Sequence, residues 1–257
     1  MSDVPLRPSV PRADVLAALS TAPLFVALWR VAGTADRFPR IFGESATNAV
    51  YGLAPWVWQF GTFFWLFLAL PLLHATWRRY ALPTGPAIRP GDIVPVAGDA
   101  WTPASPRALG WGLPAGRSIW LGTLVASVVA VVVGWLSGRV PAVHAEYPMF
   151  RGLFTDGGLV LPYEAAYVLL YYVAFEAYFR GYLLFTIAPR IGDLEAVAVS
   201  ATTACLLHIG KPEAELLGSF PFSVVLGLVA LRTRSFWPGF LVHVALGVAT
   251  DLSSLQR

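Results

Sequence analysis

The chain has 257 residues, 56% of them hydrophobic and only 13% charged, with ten Trp and sixteen Phe. Soluble domains carry roughly 25% charged residues; with a mean hydropathy of +0.63, this composition excludes an ordinary soluble globule and predicts a multi-pass membrane protein. The net charge of +3 comes from arginines that form no basic patch interleaved with aromatics. Nucleic acid is therefore excluded as a partner, and arginines facing anionic lipid account for the balance.

In chain order, residues 1–14 form a proline-rich polar tail. The apolar run Val15 to Trp29 is about 15 residues long, short for a span, so an interfacial helix and a first membrane helix both remain open. No small-residue cleavage site follows it, which argues against a signal peptide. Val50 to Leu73 reads as a span with Trp56, Trp58 and Trp65 suited to interfacial positions. His74 to Arg117 is the longest polar stretch and reads as a loop, with His74 at the membrane edge. Ile119 to Leu136 is a span without an ionisable residue, hence scaffold, and Arg139 to Gly158 is a second loop.

The next apolar run, from Leu161 to Ala188, starts with Pro162, a residue favoured at helix starts, and carries Glu164, Glu176 and Arg180. Leu194 to Ile209 is a short small-residue helix stopped by Gly210 and Pro212. Leu216 to Leu231 follows, then a turn at Arg232-Thr233-Arg234, and a last span from Phe236 to Leu252 with His243 and Asp251 inside it. The fold predicted is all-α, a bundle of about six to seven transmembrane helices around a polar intramembrane cavity. The single cysteine, Cys205, excludes an internal disulfide. It lies one turn before His208, where a metal role competes with the simpler one of a small buried apolar residue.

Charges within a hydrocarbon layer are costly and mark function by default. Glu176 and Arg180 stand at i and i+4, so they share a helix face and can pair. At 1.5 Å per residue, Glu176 lies about 12 Å from the far edge of a ~30 Å core. Counted from that far side, His243 lies about 10 Å in, His208 about 20 Å and Asp251 about 22 Å. These groups therefore share the middle of the membrane. Two schemes fit them. In one, His208, His243 and Glu176 bind a divalent metal such as zinc and leave an open position for water. In the other, Glu176 and one histidine activate water without a metal while the second histidine donates to the developing oxyanion.

Phe-Glu-Ala-Tyr-Phe-Arg-Gly (175–181), Leu-Leu-His-Ile-Gly (206–210) and Leu-Arg-Thr-Arg-Ser-Phe-Trp-Pro-Gly-Phe-Leu-Val-His (231–243) resemble, in this order, the CaaX-protease and bacteriocin-processing family, the CPBP or Abi intramembrane proteases. The resemblance covers about residues 160–252. It implies a helical membrane bundle with a water-filled cavity and intramembrane endopeptidase activity on membrane-anchored or lipidated proteins, in a bacterial-type plasma membrane. It divides the chain into an N-terminal tail with an interfacial or first membrane helix (1–45), scaffold helices with the long polar loop (46–158), and a catalytic core (159–257).

The catalytic set it implies is Glu176, His208 and His243, with Arg180 orienting Glu176. Three positions depart from the family pattern. Phe175 stands where the first of two adjacent glutamates is usual, Ala204 where an aromatic precedes the second-motif histidine, and Gly247 where Asn follows the third-motif histidine. Asp251 and Glu215 are the acids that could compensate, at the substrate-binding end of the site. Two other functions use the same residues: a non-catalytic protein that holds a peptide or lipidated tail as an immunity or scaffold factor, and a proton-coupled transporter. The transporter is disfavoured by few spans and no visible repeat.

Overall fold

A computed structural model describes residues 12–43, 53–81 and 106–256; all regular structure among them is helical, with no strand. Helix α1 (Arg12–Gly33) ends in a π-wound turn, Trp29–Gly33, and a short α2 (Phe38–Phe42) follows. Helix α3 covers residues 54–81, made of Ala54–Phe64, a π-wound Trp65–Ala69 and Leu70–Ala81. Then come α4 (Arg117–Ser137), a short α5 (Pro141–Glu146), α6 (Gly157–Ile191), α7 (Asp193–Leu206), α8 (Glu213–Thr233) and α9 (Trp237–Ser254).

Five of these, α1, α3, α4, α6 and α8, are long and apolar enough to cross a membrane. The larger number read from the sequence includes α7 and α9, which pack into the same bundle. Helix α7 has 14 residues, and α9 dilutes its apolar run with His243 and Asp251. The N-terminal run belongs to a 22-residue helix, longer than the apolar stretch alone because it begins at Arg12 and runs on to Gly33. Its first turn buries Asp14, which Arg78 of α3 neutralises with Nε at 2.6 Å and Nη2 at 3.0 Å. The predicted loop from 74 starts later than expected, since 74–81 continue α3. His74 lies within that helix, 2.9 Å from the Tyr182 hydroxyl. The polar tail at 1–11 and most of the long loop, 82–105, lie outside the described residues.

The interior is aromatic. Phe63 stacks on Tyr171 with ring centroids 4.0 Å apart and on Phe67 at 4.3 Å, and Phe60 stacks on Tyr167 at 5.0 Å. Trp29 of α1 meets Phe63 edge-on at 5.2 Å. Offset and edge-to-face pairs of this kind are each worth ~0.5–1.5 kcal/mol beyond burial, and they fasten α1 and α3 to α6. On the opposite side α4 and α9 lie close because Gly134 and Gly138 carry no side chain: a Cβ at either would collide with the carbonyls of Leu246 or Thr250. Small residues permit such approach in membranes, where apolar burial alone does not drive helices together. Ser253 adds a 2.6 Å hydrogen bond to the Trp135 carbonyl, and Ser254 one of 3.2 Å to that of Gly138.

Candidate active site

Helix α6 departs from α-helical winding twice. The π-wound segments Tyr167–Tyr172 and Ala177–Leu183 bracket the four residues Val173–Glu176. Such windings recur at functional positions because they re-aim side chains within a continuous helix. Here they set Glu176 and Arg180 into the protein interior, at 0% and 1% exposure. Arg180 Nη1 lies 3.3 Å from Glu176 Oε1, Nη2 donates to Ser223 Oγ at 2.8 Å, and the guanidinium sits 5.1 Å from the centre of the Phe175 ring.

From α9, His243 places Nδ1 2.7 Å from Glu176 Oε1. Toward a carboxylate, which only accepts, Nδ1 is the donor, and in the neutral imidazole Nε2 then carries the lone pair. A carboxylate behind an imidazole fixes both tautomer and orientation in this way. The second oxygen, Glu176 Oε2, has no hydrogen-bond partner. The nearby Gly239 spares it a crowded neighbour, since a Cβ there would fall 3.3 Å away.

In front of this cluster lies a cavity of about 750 Å³, lined by His208, His243, Phe175, Arg180, Glu215 and Tyr172 among others. Glu176 is not on its wall; it stands behind His243. The second histidine follows the end of α7, with His208 Nδ1 3.1 Å from the Ala204 carbonyl and Nε2 3.9 Å from Glu215 Oε1. That separation is too long for a direct hydrogen bond. Glu215 also accepts a 2.7 Å hydrogen bond from the Tyr147 hydroxyl. Burial first, and then the Glu215 carboxylate, push the Tyr147 phenol well above its ordinary value, so it stays a donor. Lys211 pairs with Glu146 at the same end.

The structure thus brings Glu176, Arg180 and His243 into one contact network and puts His208 and Glu215 on the cavity wall with His243. It does not bring Asp251 there. Asp251 is 1% exposed, and its carboxyl faces that of Glu164 across the α6–α9 interface. Phe175, where the family pattern usually has a glutamate, stands edge-on to both histidines, with centroids 5.1 Å from His243 and 6.3 Å from His208.

His243 directs Nδ1 to Glu176 and His208 directs Nδ1 to a backbone carbonyl, which leaves both Nε2 atoms open as a metal-binding histidine requires; Glu176 is absent from the cavity wall and is not gathered with them as a third ligand. Among the described residues no group of three or more His, Cys, Asp or Glu could hold a metal ion. Cys205 turns to α8, where its sulfur lies 3.2 Å from the Ser219 hydroxyl.

Sequence reasoning missed Tyr147, Tyr172 and Ser223. Tyr172 left a signal, being four residues before Glu176. Tyr147 and Ser223 lie 68 and 43 residues from the side chains they bind, and nothing local marks them.

Apolar helices around a buried Glu–Arg–His network define an integral membrane protein. Residues 158–249 match the family described as Rce1-like, type II CAAX prenyl endopeptidase Rce1-like. That region contains Glu176, Arg180, His208 and His243 and coincides with the resemblance read from the three motifs. No curated protein and no solved structure matches the chain significantly.

Proposed function

We propose that the protein is an intramembrane endopeptidase that hydrolyses a peptide bond in a membrane-anchored, prenyl- or otherwise lipid-modified protein of a bacterial-type plasma membrane. One observation carries this reading: His243 is held at Nδ1 by a buried carboxylate while its imidazole borders a cavity that carries His208, Arg180 and Glu215 among apolar side chains. His243 Nε2 takes a proton from water, and the hydroxide adds to the peptide carbonyl. Collapse of the tetrahedral intermediate expels the amine, which receives the proton back from Nε2. Glu176 stabilises the imidazolium formed in between, and Arg180 holds Glu176 in place by its ion pair. Both are positioning residues. His208, with Glu215 and Tyr147, flanks the cavity and holds the substrate by hydrogen bonds. No metal is needed for these steps.

The test is incubation of the purified protein, in phosphatidylglycerol vesicles, with quenched fluorescent peptides carrying a farnesylated cysteine. Wild type is expected to cleave and His243→Ala to fall to background. Equal signals from the two sink the reading. A second reading, a non-catalytic binder of a lipidated tail, is favoured by Phe175, whose ring rather than a carboxylate stands between the histidines. It predicts saturable peptide binding without turnover.

A further inference from the structure

The hydrolysis proposed above needs a donor for the oxygen that becomes negative, and hydrogen bonds aimed at that oxygen supply a large share of such catalysis. Several hydroxyls on the cavity wall are already engaged. Tyr147 donates to Glu215, Ser219 to the Leu216 carbonyl and Thr250 to that of Leu246. Tyr172, whose hydroxyl neighbours that of Tyr167, is placed differently. Its ring meets His243 edge-on with centroids 4.9 Å apart. Its hydroxyl occupies the space above Gly247, so closely that a Cβ at 247 would collide with the phenolic oxygen. Gly247 lies one turn beyond His243 on α9, and all three residues line the cavity. The absence of a side chain at 247 is what lets a phenol from α6 reach across to the histidine's neighbourhood.

We infer that Tyr172 is a catalytic residue, its hydroxyl donating to the carbonyl oxygen of the scissile peptide as that oxygen becomes an oxyanion. This rests on the endopeptidase reading. The step transfers no proton from Tyr172. Water loses its proton to His243 Nε2, the new C–O bond forms as the carbonyl π pair moves onto oxygen, and the Tyr172 hydroxyl hydrogen-bonds that charge until the C–N bond breaks. The phenol lies within the apolar interior at 4% exposure, where a hydrogen bond to charge counts for more than in water.

The experiment compares wild type, Tyr172→Phe and His243→Ala on the farnesylated peptides in vesicles, together with a phosphonate analogue of the tetrahedral intermediate. Tyr172→Phe is expected to lower kcat about 100- to 1,000-fold with KM within about threefold. It should weaken phosphonate inhibition by a comparable factor, and thermal unfolding should match wild type. A merely structural role would lower unfolding temperature or move KM, and would leave the ratio of phosphonate to substrate affinity unchanged; that result overturns the inference. So does a Tyr172→Phe enzyme with kcat within about threefold of wild type while His243→Ala is dead, which leaves the endopeptidase reading standing. If wild type and His243→Ala give the same background, the endopeptidase reading fails, and the role of Tyr172 fails with it.

Discussion

Glu176 has two partners, and they meet it at the same oxygen. Arg180 Nη1 at 3.3 Å and His243 Nδ1 at 2.7 Å both face Oε1. Removing one member of a buried pair leaves an uncompensated charge, at a cost of about 3–5 kcal/mol. Arg180→Ala is therefore expected to lower the unfolding temperature and abolish peptide cleavage. Arg180→Lys, which keeps the charge but not the fork that reaches both Glu176 and Ser223, should retain the fold and part of the activity. Thermal unfolding in detergent with the farnesyl-peptide assay reads both. Equal and mild effects would mean that the pair is incidental.

At the scale of elements, α6 and α9 do most of the positioning. The two π-wound segments of α6 aim Glu176 and Arg180 inward while Tyr172 keeps to the cavity side. Helix α9 brings His243 to them while its segment from Leu246 to Ser254 lies tightly on α4. That contact depends on Gly134, where any Cβ would run into the Leu246 carbonyl. Gly134→Leu should push α9 off α4 and cost about 1–3 kcal/mol by overpacking. Because His243 rides on α9, cleavage should fall more steeply than stability. Activity retained in full by a protein that unfolds at a lower temperature would show that the α4–α9 contact does not position the histidine.

At the scale of the molecule, two kinds of surface lie among the helices. Helix α4 turns Val125, Val128, Val129 and Val132 outward, each more than half exposed, as a face toward lipid would. The cavity side carries Lys211, Glu215, His208 and Arg180. With Cys205 replaced by Ser, a membrane-impermeant maleimide should label Ala214→Cys, which lines the cavity, in intact proteoliposomes. It should leave Val129→Cys unlabelled despite its exposure, because a thiol in hydrocarbon stays protonated and meets no reagent. Equal labelling of both positions would contradict a water-filled cavity within a lipid-embedded bundle.

Composition set the membrane class, and its long continuous apolar runs set helices over the alternating pattern of a barrel, because a backbone in lipid is satisfied only within a helix or a closed barrel. The i,i+4 spacing of Glu176 and Arg180 announced their ion pair, since that contact is local to one helix. The two histidines were legible as buried polar groups in apolar runs. Other features depended on contacts between helices far apart in sequence, and no periodicity encodes those. One was that Glu176 would stand behind His243 rather than on the cavity wall. Another was that Asp251 would turn to Glu164 and away from the site. The placement of Tyr147 and Ser223 was a third. The rotation that decides which face of α6 meets the cavity is set by its π windings and by the aromatic stack against α3, and both exist only once the bundle is packed.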